Sequence, residues 1–269
     1  MNLLALYEFC TTVDEQVLAN SQRSTALCCG NTLESKVRAA FLLGVYMILR
    51  MNTSPDETVQ RLSAGVGISR LTETGAGRSD QQGLTVQDCL LALWRSKRLG
   101  WVDFEKDGFD PDEFAYFNSG LNADLHEVVP ERLIVMRSPR LLDRGEWEDH
   151  FEAGRFSHRE FSPSYYTDIL PQFDVTVCVR LGVPRYGRDA LAGSGMELEE
   201  LYCEDSAFPS PDTVARFLKI VDRARGAVAL QGDAGLGHAA TLAAIYMMQR
   251  HGFAAREAVA WLLIICPRW

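Results

Sequence analysis

The chain has 269 residues, enough for one large domain or two of ordinary size, and 47% of them are hydrophobic, which excludes wholesale disorder. A net charge of −9 argues against a general nucleic-acid or anionic-membrane binder, since both demand positive surface. Basic peptides or proteins suit it better as partners.

The opening stretch Met1-Asn2-Leu3-Leu4-Ala5-Leu6 carries no positive charge before its apolar run, so it is a poor signal peptide. No uninterrupted apolar run reaches the ~18 residues of a membrane helix. Seven cysteines (Cys10, Cys28, Cys29, Cys89, Cys178, Cys203, Cys266) are scattered, mostly among apolar neighbours, and form neither C-x-x-C nor a Cys/His cluster of zinc spacing. Small buried thiols in a reducing, cytoplasmic setting follow, with no metal and no cofactor expected.

Val37, Ala40, Phe41, Gly44, Val45, Ile48 and Leu49 recur at helical spacing. Ser54-Pro55-Asp56-Glu57 announces a second helix through a Ser cap, Pro in the first turn and Glu three residues after the cap. The polar, Gly-rich stretch from Gly65 to Gly83 reads as loop, and Thr85-Val86-Gln87-Asp88 opens a third helix running to about Lys97. Phe109 to Gly120 is acidic and aromatic, with Pro111 just inside a helix start; the inter-domain connector is expected here. Beyond it strands and helices alternate. Leu133–Met136 and Asp174–Leu181 are Val/Ile/Leu-rich buried strands, Ser210-Pro211-Asp212 caps a helix to about Arg225, and Ala227–Gln231 is another strand. A glycine turn then leads into a helix from about His238 to Arg250, and a last helix ends at Cys266-Pro267.

The informative segment is Ala227-Val228-Ala229-Leu230-Gln231-Gly232-Asp233-Ala234-Gly235-Leu236-Gly237-His238-Ala239-Ala240-Thr241-Leu242, a buried strand passing through glycines straight into a helix. Such a turn aims successive N–H groups inward at the positive end of the helix dipole, which makes an anion site. The dinucleotide pattern G-x-G-x-x-G does not match, because the glycines run G-x-x-G-x-G. A Walker loop fails too, since His238 and Ala239 stand where Lys and Ser/Thr are needed. A Gly-rich turn without a ligand is the bland alternative.

Ala234-Gly235-Leu236-Gly237, with this strand and helix around it, resembles the signature loop of the mitotic-exit (cell-division-cycle fourteen) dual-specificity protein phosphatases, H-C-x-A-G-L-G-R-T-G-T. Further matches are Lys36–Gly44, Leu84–Leu90, the acidic Phe109-Asp110-Pro111-Asp112-Glu113-Phe114, Val128-Val129-Pro130 and Val175–Leu181, in the family's order. The resemblance implies an α/β protein of two tandem dual-specificity-phosphatase-like domains, each a central mostly parallel sheet with flanking helices, the N-terminal one shortened and mainly helical. Residues 1–110 are then a non-catalytic phosphatase-like domain, 111–125 an acidic connector, and 126–269 a phosphatase-fold domain with a degenerate loop. The chain begins at the family's first long helix and stops before its glutamine-bearing segment, so the preceding strands are expected to be missing.

The same resemblance puts Gln231 in the His position, Gly232 in that of the nucleophilic Cys, His238 in that of the phosphate-binding Arg and Ala239 in that of the following hydroxyl. A covalent mechanism needs a thiolate at the helix N-terminus, and Gly232 has no side chain. His238 cannot reproduce the bidentate grip of an arginine on two phosphate oxygens. Asp205 falls at the general-acid position but has nothing to assist, and its plain alternative is a solvated member of an acidic loop with Glu197, Glu199, Glu200 and Glu204. Asp233 places a carboxylate inside the phosphate loop Gly232–His238, where it repels phosphate; as a substitute nucleophile it lacks a Mg²⁺-ligand cluster. The expectation is a pseudophosphatase acting as a protein-binding or scaffold module, with Asp110, Asp112 and Glu113 as a groove for basic segments and with no nucleic-acid or membrane partner. Two other readings stand beside it. One is a residual phosphatase with altered catalytic residues; the other is a structural component of a cytoskeletal, centrosomal or ciliary assembly.

Overall fold

The structure, a computed structural model, describes residues 1–66, 83–105, 108–203, 208–232 and 237–267. The chain divides into two compact units: Met1–Pro111 together with Phe253–Pro267, and Asp112–Gly252.

Among the described residues the first unit is built of helices alone: α1 (Leu3–Ala19), α2 (Leu33–Leu49), α3 (Pro55–Val66), α4 (Val86–Arg98) and α9 (Ala255–Ile265). Local chemistry sets their starts. Asn2 Oδ1 accepts from Ala5 N at 3.1 Å, and Thr32 Oγ1 from Ser35 N at 3.2 Å. Thr85 and Asp88 form a reciprocal capping box, each side chain accepting from the other's N–H. Glu57 N donates to Ser54 Oγ, as the Ser-Pro-Asp-Glu signal predicts. The loop expected from Gly65 to Gly83 begins later, because α3 carries on to Val66; residues 67–82 lie outside the described residues.

The last helix was expected to belong to residues 126–269, yet α9 packs into the helical unit. The reason is its near-uniform apolarity: Ala258, Ala260, Trp261, Leu262, Ile264 and Ile265 are all buried, as befits a helix surrounded by others. Trp101 stacks on Phe253 at 5.3 Å and lies 6.0 Å from Trp261. Buried Glu257 accepts from Arg95 Nε of α4 at 2.8 Å and from Ala254 N at 3.0 Å.

The second unit supplies the sheet. The helix α5 (Pro111–Phe117) precedes β1 (Leu125–Val129), β2 (Leu133–Arg137), β3 (Trp147–Glu152) and β4 (Arg155–Phe161); α6 (Pro163–Tyr166), β5 (Val175–Arg180), β6 (Glu197–Glu200), α7 (Pro211–Arg223), β7 (Ala227–Gly232) and α8 (Gly237–His251) follow. Five strands form one sheet in the order β1-β2-β7-β5-β6, parallel except for the edge strand β1. The strands β3 and β4 make a separate antiparallel hairpin. All six residues of β7 are buried, as a central parallel strand covered on both faces requires. On one face Ile134, Met136, Cys178, Ala227 and Ala229 join Tyr166, Leu170, Tyr186 and Leu191 in a core; α8 lies against β2 and β7.

Candidate phosphate-loop site

The parallel strands β2, β7 and β5 end side by side, with Arg137 paired to Gly232 and Arg180 to Gln231. In open α/β sheets this carboxyl edge is where ligands bind. The strand β7 stops at Gly232 and α8 starts at Gly237. Gly232 O accepts from Ser138 N at 2.8 Å, and Gln231 O from Leu181 N at 3.3 Å, which fixes the end of β7 on both sides.

Beneath that edge lies a buried polar network. Tyr186 Oη donates to Gln231 Oε1 at 2.5 Å, and burial pushes the Tyr186 phenol up to about 12, which keeps it a donor. Gln231 is 1% exposed and its Nε2 has no hydrogen-bond partner among the described residues. Arg180, 2% exposed, pairs with Glu200 through Nη2, donates to Tyr186 O from Nη1 at 2.8 Å, and sits 4.8 Å over the Tyr186 ring. At the end of β2, Arg137 Nε donates to Asp124 Oδ2 at 2.9 Å. Both strand-end arginines beside the loop are thus held by carboxylates. A buried charge in that state serves the fold.

Of the expected loop residues, Gly232 is buried at the end of β7, Gly237 is the exposed first residue of α8, His238 is half-buried, and Ala239 is fully buried. Asp233, Ala234, Gly235, Leu236 and the general-acid candidate Asp205 lie outside the described residues. Asp110, Asp112 and Glu113 are exposed at the start of α5, the latter two in its first turn. In the second unit, burial raises the thiols of Cys178, to about 12, and Cys203. A nucleophilic cysteine needs the opposite shift.

The first 96 residues match the model of the family described as dual specificity protein phosphatase, N-terminal half. Aligned over 269 residues and 99% of its length, the chain is 27% identical to the dual specificity protein phosphatase CDC14C of Symphalangus syndactylus. It is 28% identical, again over 99% of its length, to the tyrosine-protein phosphatase cdc-14 of Caenorhabditis elegans. The chain resembles the CDC14 phosphatases from end to end. It covers 53% of the gibbon protein and 37% of the nematode one, so it spans about half the length, or less, of these curated CDC14 relatives. Among solved structures, Tk-PTP in its active form is 17% identical with a TM-score of 0.41, over 53% of this chain and 84% of its own. The CDC14-like chain is therefore related to the dual-specificity and tyrosine phosphatases, with an α/β fold around a central, mostly parallel sheet.

Sequence reasoning passed over two groups. The Arg180–Glu200 pair was hidden because Arg180 ends an apolar strand and Glu200 lies in a run read as a solvated acidic loop, part of which forms β6. The sequence reading also did not bring together His150, His158 and Glu160, whose ligand atoms lie within 4.8 Å of one another. Their spacing of eight and two residues follows strand alternation across a hairpin, a signal zinc-motif spacing does not contain.

Proposed function

We propose that this chain is a catalytically inactive member of the dual-specificity phosphatase superfamily that works as a protein-binding module. The observation that carries the reading is Gly232, which ends β7 and offers no side chain at the position that the resemblance gives to the nucleophile. Loss of a covalent nucleophile lowers turnover roughly a million-fold. Half-buried His238 stands in for the arginine and fully buried Ala239 for the hydroxyl, so the substrate-gripping groups are replaced as well. The pairing of Arg137 with Asp124 and Arg180 with Glu200 supports the same reading, because neither cation is unclaimed. In this reading residues 1–110 are a non-catalytic phosphatase-like domain, 111–125 an acidic connector and 126–269 a phosphatase-fold domain with a degenerate signature loop.

The partner we expect is a protein with a basic segment, cytoskeletal proteins of the cytoplasm included, received at the exposed Asp110, Asp112 and Glu113. Charge reversal at all three positions should abolish capture of such a partner; unchanged capture would remove the groove from the proposal. The inactive assignment is tested by assaying the purified chain on an aryl phosphate and on phosphopeptides. No turnover above background is expected. Turnover that disappears in Asp205→Ala would establish a residual phosphatase instead, as the relatives' names suggest.

A further inference from the structure

The hairpin β3–β4 turns through Ala153 and Gly154, both at positive φ (48° and 75°), the backbone of a tight two-residue turn. Its register sets His150 opposite His158 and Glu148 opposite Glu160. Side chains alternate along a strand, so His158 and Glu160 share one face, and His150 joins it from across the ladder. The two imidazoles lie nearly parallel with centroids 4.7 Å apart. His150 Nε2 is 3.0 Å from Glu160 Oε2, is shielded from solvent, and makes no hydrogen bond of sound geometry among the described residues.

We propose that His150, His158 and Glu160 form a Zn²⁺-binding site on this hairpin. Two imidazoles are borderline nitrogen donors, and with one carboxylate they make a set that suits Zn²⁺ far better than Mg²⁺ or Ca²⁺; three protein ligands leave a fourth position for water. The ligand atoms already lie within 4.8 Å of one another, so small side-chain rotations bring them around one ion. Glu160 is 8% exposed while both histidines are half-buried, which gives a fixed carboxylate anchor and an open approach. Arg140 Nη1 donates to Glu160 Oε2 at 2.9 Å and Arg185 Nη1 to Oε1 at 3.4 Å. The Arg140 side chain is 51% exposed, so it can swing into water as the ion takes its oxygen. Arg140 is therefore a competitor for the site, and its removal should tighten binding.

The experiment is calorimetric titration of the full chain with Zn²⁺. Because Cys28 and Cys29 are exposed thiols that also attract zinc, it is run in Cys28→Ser/Cys29→Ser. One Zn²⁺ per chain is expected, with affinity falling at least about 10-fold in His158→Ala and in His150→Ala. Arg140→Gln should bind more tightly, an effect that a purely structural role for these residues does not produce. Zinc binding that disappears with the two thiols, or that is unchanged by both histidine substitutions, would overturn the site. So would an Arg140→Gln affinity equal to or below the parent's.

Discussion

At Gly232 the strand β7 delivers backbone to the sheet edge and nothing else. Cys178, on the neighbouring strand β5, is buried and its thiol is raised to about 12, the opposite of what a nucleophilic thiolate needs. Asp124 shows what the retained polar residues do. Burial alone would raise its carboxyl, but hydrogen bonds from His126 and Arg137 outweigh that and hold it at about 2. A carboxylate depressed in the folded state stabilises fully above its unfolded pKa of ~3.9 and loses that contribution as pH falls through the folded value. Between about pH 4 and about pH 2 this group should remove about 2 kcal/mol of stability. Urea unfolding across that window should show this component in the wild type and not in Asp124→Asn.

The strand–turn–helix element depends on how β7 is entered. A Cβ on Gly226 would lie 2.2 Å from Asp174 O, a backbone atom that accepts from Ala227 N at 2.8 Å. Gly226→Ala should therefore cost about 1–3 kcal/mol through overpacking and backbone shift, seen as a lowered urea midpoint. Much at this scale was legible in the residues. Thr85 and Asp88 announced α4, Ser210-Pro211 announced α7, and the unbroken apolar run of Ala227–Leu230 marked a buried strand. The hairpin was not legible: Trp147-Glu148-Asp149-His150-Phe151-Glu152 is mostly exposed and charged, so no apolar face betrays it. The strand β6, Glu197-Leu198-Glu199-Glu200, failed for a different reason. It is an edge strand with only Leu198 buried, and acidic runs of that kind ordinarily read as loop.

For the whole molecule, the unexpected feature is the return of the C-terminal helix to the helical unit. Chain order argued for a clean division near residue 110, but a helix that is apolar nearly all round goes where it is best surrounded, and sequence position does not encode that. Trp261, 1% exposed, should accordingly matter to the N-terminal unit: Trp261→Ala should lose about 3–5 kcal/mol, read as a lowered melting temperature. The strand and helix that flank the glycine loop were legible in the sequence and the loop's residues 233–236 lie outside the described residues, while the pairing of Arg137 and Arg180 with carboxylates needed three dimensions. The claim that fold persists while chemistry is gone is tested most directly by aryl-phosphate turnover in the wild type and in Gly232→Cys/His238→Arg. We predict background hydrolysis for the wild type and measurable turnover for the double variant. Turnover by the wild type, with no gain on restoring the cysteine and arginine, would contradict the account.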